Sequence, residues 1–277
     1  MTRFRLDLAY DGTDFHGWAA QPGQRTVQGA LQDAIGEALA LAGLQAFQQV
    51  TAAGRTDAGV HARSQVAHLD AEIEPDDALK LAVQVARLLP DDIVLYALSP
   101  APSGFDARFS AVSRTYCYRL WDAESKRDPM QRHVVTAVPY HLDVAAMHAA
   151  AQTLLGLRDF APFSRPKEGG TAIRELQRFD IARCDDEAGT IECWLRADAF
   201  AQAMVRSLVG AVTAVGAGRR DPAWLAGVAA ASQRVSDVTV MPAGGLTLEI
   251  VEYPPDDQLS TRAAEARQLR TLEKGTP

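Results

Sequence analysis

The sequence predicts an α+β protein built as two halves. Three observations lead there. Stretches of period-two alternation trade places with stretches of helical periodicity along most of the chain. In the first hundred residues they follow the order β-α-β-β-α-β, which is ferredoxin-like, and the alternation resumes after the segment PAPSG at 100–104. No run approaches the ~18 uncharged apolar residues that a membrane helix needs, while apolar residues make up 47% and charged residues 23%, an ordinary globular balance.

Each element has a local cause. Residues 3–10 alternate, with Phe4, Leu6, Leu8 and Tyr10 on one face, and predict a strand rather than a signal peptide. The turn DGTDFHGW follows. Thr26 then caps a helix whose apolar positions are Val27, Leu31, Ala34, Ile35, Ala38 and Leu39, with Gly43 as its stop. Phe47 to Ala53 is a weak strand, GRTDAGVHA (54–62) a loop, and Ser64 to Leu69 a further strand. A helix at about 77–88 ends before Pro90, because proline disfavours helical geometry in the residue before it; Ile93 to Leu98 returns as a strand. Beyond the junction, Thr115 to Trp121 alternates with Tyr116 and Tyr118 on one face. A helix covers about 143–155, and strands near 174–184 and 190–197 flank DDEAGT. A long helix near 200–216 and a shorter one at 222–231 precede the strand Leu246 to Tyr253. The expected organisation is therefore an N-terminal half at 1–103, a C-terminal half at 104–254 and a polar, loosely held tail at 255–277.

Charge and cysteine usage narrow the function. Net charge is −7, which argues against a protein that coats nucleic acid indiscriminately. Basic residues nevertheless concentrate at 108–132 and 165–183, so a local phosphate-binding surface is permitted. Three cysteines, Cys117, Cys184 and Cys193, form no CxxC and no even-numbered framework, and read as buried reduced thiols. His61 and His68 straddle a strand start and do not make a zinc pattern. No metal or other cofactor is expected, and a cytoplasmic location follows by default.

GRTDAGVHA stands apart because polar Arg55, Thr56, Asp57 and His61 sit among small residues between two apolar strands. Its glycines allow close approach of a ligand. From composition alone the loop is either a site for a polar substrate or a turn in which Asp57 caps a backbone amide.

GRTDAGVHA resembles the catalytic motif of the tRNA pseudouridine synthase A family. Further matches follow in the same order: YDGTDFHGW (10–18), TVQGAL (26–31), LLPDDI (88–93), FDARFSAVSRTYCYRL (105–120), MVRSLVGAVTAVG (204–216) and GGLTLEIVEY (244–253). The resemblance spans about residues 3–253. It implies the pseudouridine synthase fold, in which two ferredoxin-like or RRM-like halves with mixed, largely antiparallel sheets meet at a central catalytic cleft. It also implies a homodimer acting on the anticodon arm of tRNA, at uridines 38, 39 and 40. Such a reaction breaks a glycosidic bond, turns the detached base and rejoins it to the sugar through carbon, which one carboxylate can serve as nucleophile or base.

By the same resemblance Asp57 is that carboxylate, Arg55 helps displace the nucleotide that must leave the stack, Tyr116 is the active-site tyrosine and Arg206 pairs with the catalytic Asp. A lone arginine on an apolar helix needs a partner in any case. Arg108 and Arg114, with Arg119, Lys126, Arg127, Arg132, Arg165 and Lys167, are expected to contact phosphates. The chain departs from the family pattern at Ala201-Gln202-Ala203, where histidines are common, at GWAAQ (17–21) and at Ala86. A tRNA-binding factor without catalysis would have no use for the ionic pair. A nucleoside hydrolase would have no use for the basic segments.

Overall fold

The computed structural model describes residues 1–44, 47–166 and 169–268. In chain order the main elements are β1 (Thr2–Tyr10), α1 (Val27–Leu41), β2 (Thr51–Ala52), β3 (His61–Ala71), α2 (Ala78–Leu88), β4 (Ile93–Pro100) and β5 (Ser113–Trp121). They continue with β6 (Thr136–Ala137), α3 (Val144–Gln152), β7 (Gly156–Asp159), β8 (Ile173–Arg183) and β9 (Ile191–Ala197). The last are α4 (Met204–Gly216), α5 (Pro222–Ala230), β10 (Leu246–Glu252) and α6 (Leu259–Ala266). The fold is α+β. The chain divides into two compact units. The first is Met1–Val112 with Leu248–Gln268, and the described part of the second is Ser113–Thr247.

In the first unit β1 lies between β4 and β3 and is antiparallel to both, with Leu6 opposite Leu98 on one side and Ala67 on the other. With β2 antiparallel to β3, the order β4-β1-β3-β2 is the ferredoxin-like one, and β10 is a further neighbour of β3. Phe4, Leu6 and Leu8 are fully buried, so the expected face of β1 is the inner one. The α1 start is capped as its sequence requires: Thr26 Oγ1 accepts from the Gly29 amide at 3.2 Å. α2 stops at Leu88, and Leu89 turns extended (φ −68°, ψ 144°) ahead of Pro90.

Differences from the sequence reading have local reasons. β3 begins at His61, three residues early, because its ladder with β1 continues past a register shift to pair Ala62 with Tyr10. The weak strand before it is reduced to Thr51–Ala52, with an isolated bridge between Phe47 and Ala71. Residues 255–268, read as part of a loosely held tail, contain α6, and Leu259 (1% exposed) packs with Ala53, Val66, Phe105 and Ala107. Residues 269–277 lie outside the described residues.

In the second unit the order is β5-β9-β8-β7, with each adjacent pair antiparallel and β6 parallel to β5. α3 packs on β8 and on α4. α4 starts at Met204 rather than near 200. Ala203 ahead of it sits at φ 62°, the one non-glycine residue with positive φ among the described residues. That conformation costs an L-residue about 1–2 kcal/mol.

Candidate active site

The 54–60 loop is braced from behind by the segment Tyr10–Trp18, all within the first unit. Ala53 donates to Val66 O at 2.7 Å as the loop leaves the sheet. Gly54 O accepts from Gln65 Nε2 at 2.8 Å; the same amide reaches the Tyr10 hydroxyl at 3.2 Å, and that hydroxyl bonds Thr56 Oγ1 at 2.8 Å. Trp18 N–H donates to Thr56 O, Gly59 N–H to Phe15 O and Val60 N–H to Asp57 O, all at 3.0–3.1 Å. Two glycines permit this contact. A Cβ on Gly12 would lie 2.0 Å from Val60 O, and one on Gly17 (φ +89°) would lie 2.8 Å from Thr56 O. Asp57 is left half-buried on a fixed backbone, between exposed Arg55 and exposed Ala58.

Three of these bracing residues carry titratable or polar groups that the sequence reading did not single out as structural. His61 is buried, and its Nδ1 accepts from the Gly12 amide and lies 3.0 Å from Asp11 Oδ1. Burial pushes the Tyr10 phenol up to about 12, with the Thr56 and Gln65 hydrogen bonds pulling the other way, so it stays a neutral hydroxyl in the network. Gln65 is wholly buried on β3. The available signal was a glutamine inside an apolar strand, since a buried amide requires partners.

In the second unit Tyr116 is 7% exposed on β5, with its ring edge-on to Phe200 at 5.3 Å. Tyr118 is more deeply set. Its hydroxyl bonds Thr136 Oγ1 at 2.7 Å and donates to Pro242 O at 2.8 Å. Burial pushes its phenol well above the usual tyrosine range, while the Thr136 bond and the nearby positive charge of Arg206 pull it back. Arg206 lies in the first turn of α4, where its Nε donates to Met241 O at 2.6 Å and its own carbonyl accepts from the Met241 amide. The guanidinium is thereby oriented by backbone before any substrate arrives.

The expected phosphate contacts separate by burial. Arg108 is exposed, in a loop where Asp106 Oδ1 caps the amides of Arg108 and Phe109. Arg114 is turned inward: it is 7% exposed and donates to Asp198 O at 2.7 Å. Arg119 pairs with Glu192 at 3.0 Å, and Lys126 with Glu187. Arg127 and Arg132 are exposed, as is Arg165, and Lys167 lies outside the described residues.

Among the described residues, potential metal donors meet at one place that the sequence does not single out. Asp122, Glu124 and His141 bring ligand atoms within 4.8 Å of one another. Asp122 is already engaged by both Arg183 Nη atoms, at 3.1 and 2.7 Å. Burial alone would raise its carboxyl, but bonds from Arg183, the Leu142 amide and Ser125 outweigh that and hold it at about 2. The arrangement reads as a buried salt bridge. Among the described residues no helix is long and apolar enough to cross a membrane.

Known proteins place this architecture. A family model described as "tRNA pseudouridine synthase" matches residues 150–254, which gives the class. Proteins named tRNA pseudouridine synthase A resemble the chain over nearly its whole length. That of Cutibacterium acnes is 53% identical over 271 residues, covering 98% of this chain and 96% of its own. Those of Frankia casuarinae and Streptomyces avermitilis are 50% and 48% identical, covering 98% of this chain and 96% and 94% of their own. The chain belongs to the tRNA pseudouridine synthase A family. A solved structure titled "Crystal Structure of a Cbf5-Nop10-Gar1 Complex" matches at 12% identity and TM-score 0.32, over 76% of this chain and 54% of that one, too slight a likeness to bear on function.

Proposed function

We propose that the protein isomerises uridine to pseudouridine in the anticodon stem-loop of tRNA, at positions 38, 39 and 40, with Asp57 as the essential carboxylate. Family membership carries the reaction class, an isomerase acting on tRNA. The observation that carries the assignment of Asp57 is its setting. A half-buried carboxylate stands on a loop whose carbonyls and amides are tied to Gln65, Trp18 and Phe15, so the side chain is presented on a backbone that cannot easily yield. Positional precision of this kind is what attack on, or proton removal from, a sugar carbon demands.

The other roles rest on the resemblance, and local structure is consistent with each. Arg55, exposed two residues before Asp57, is suited to entering the space of a flipped nucleotide. Tyr116 offers a ring and a hydroxyl for the uracil. Arg206 offers a cation already oriented by Met241 O. Arg108 and Arg114 are the proposed substrate contacts, Arg108 from an exposed loop and Arg114 from β5, where it also donates to Asp198 O. The step asks for no redox change and no energy donor. A cytoplasmic homodimer that binds one tRNA across both subunits belongs to the same reading and is supported by the resemblance alone.

The test is carbodiimide mapping of unmodified tRNAs that carry uridine at positions 38–40, incubated with the enzyme. New stops at those positions are expected. Stops elsewhere in the tRNA with none in the anticodon arm would refute the proposed specificity and leave the reaction class standing.

A further inference from the structure

Helix α6 and Arg267 grip the 104–110 loop, which presents Arg108. Leu259 (1% exposed) and Ala263 (3%) are the buried residues of α6, and Leu259 packs against Phe105 and Ala107. Ser110 Oγ donates to Leu259 O at 3.0 Å. Arg267, the residue that closes α6, donates from Nη2 to Asp106 Oδ2 at 2.9 Å. The other oxygen of that carboxylate caps the amides of Arg108 and Phe109, each at 2.9 Å. The Phe109 ring carries two guanidinium groups, that of Arg267 at 4.6 Å from its centroid and that of Arg108 at 5.1 Å. Asp106 and Phe109 thus link Arg267 to Arg108 through one carboxylate and one ring.

We infer that Arg267 is a positioning residue that fixes the 104–110 loop and, through Asp106 and Phe109, the place at which Arg108 meets the tRNA backbone. The inference rests on the reading of Arg108 as a phosphate contact. The geometry asks for such a device. A carboxylate that caps two amides has its plane set by its remaining partner, and a charge-assisted bond from a guanidinium sets that plane more firmly than water does. Stacking of Arg267 on Phe109 restrains the ring over which the Arg108 guanidinium lies. Arg267 is itself half exposed (52%), and the buried Asp106 carboxylate keeps its bonds from the Arg108 and Phe109 amides when Arg267 is removed, so the variant should still fold.

Steady-state pseudouridine formation on unmodified tRNA, with the full-length wild type, Arg267→Ala, Arg108→Ala and the double variant, tests this. Arg267→Ala should raise KM about threefold to tenfold with kcat within about twofold, because only binding geometry is lost. Arg108→Ala should raise KM at least as much, and the double variant should match Arg108→Ala to within about twofold, since Arg267 acts through Arg108. Two results would overturn the inference while leaving Arg108 as a contact: an unchanged KM in Arg267→Ala beside a raised KM in Arg108→Ala, or effects that multiply in the double variant, which would make Arg267 a contact in its own right. An unchanged KM in Arg108→Ala would instead remove the reading on which the inference rests.

Discussion

Adding one methyl group at Gly12 should separate the 54–60 loop from its brace. The Cβ of Gly12→Ala would lie 2.0 Å from Val60 O, 2.5 Å from Val60 C and 3.1 Å from Val60 N, all backbone atoms that cannot rotate away. Real Cβ contacts essentially never fall under 3.0 Å, so the two segments must part by about 1 Å. Overpacking of this size costs about 1–3 kcal/mol, and strain on the 3.0 Å bond from the Gly12 amide to His61 adds about 1 kcal/mol. The expected loss is about 2–4 kcal/mol, or roughly 5–15 °C in Tm for a chain of this size. Asp57 lies three residues before Val60, so a displacement of about 1 Å should lower kcat about 100-fold. Tritium release from tRNA labelled at uridine C5 reports turnover, and thermal melting reports stability. Gly23→Ala is the control: its φ is +70° but nothing lies within 4 Å, so it should cost about 1 kcal/mol and leave turnover intact. Wild-type kcat and Tm in Gly12→Ala would refute the claim that the 10–18 segment sets the loop.

Three further outcomes are expected. Tyr10→Phe removes the hydroxyl shared by Thr56 and Gln65 and should cost about 1–2 kcal/mol. Because the folded phenol is raised to about 12, the folded state holds its proton more tightly, so this contribution is full below pH 10 and declines as pH rises from 10 toward 12. Denaturant unfolding at pH 9 and pH 11 should show that decline in the wild type and less of it in Tyr10→Phe. Asp122 has the opposite sign: its folded carboxyl is held near 2, so its contribution is present above pH 4 and lost as pH falls from 4 to 2, and Asp122→Asn should be less stable at neutral pH by about 1–2 kcal/mol, with a flatter acid limb. Ala203→Gly relieves a left-handed alanine and should raise stability by about 0.5–1 kcal/mol, read as a higher Tm.

Much of the fold was legible because single residues announce their roles. Thr26 begins α1, Pro90 ends α2, and the alternation of Phe4, Leu6 and Leu8 assigns the inner face of β1. What escaped has physical reasons. β6 and β7 are two and four residues long, too short for any period to register. α6 buries only Leu259 and Ala263, so its sequence looks polar although Leu259 fills a core position. α4 starts late because Ala203 takes a left-handed conformation that no propensity scale favours for alanine.

The site divides in the same way. Asp57 stands out by its loop, but the brace behind it joins Tyr10 and Gly12, some fifty residues upstream, to Gln65 and to His61 at the end of the loop itself, and nothing local marks those pairings. In sequence Arg114 is indistinguishable from the other basic residues expected to contact phosphates, although only 7% of it is exposed. β5 is buried on both faces, so its alternation does not reveal which way Arg114 points.

The most direct test compares wild type with Asp57→Ala in tritium release from unmodified tRNA, with tRNA binding measured alongside by filter retention. Turnover in the wild type and none in Asp57→Ala, with binding retained, is the expected result. Undiminished release by Asp57→Ala would contradict the assignment of Asp57 as the carboxylate that carries the reaction.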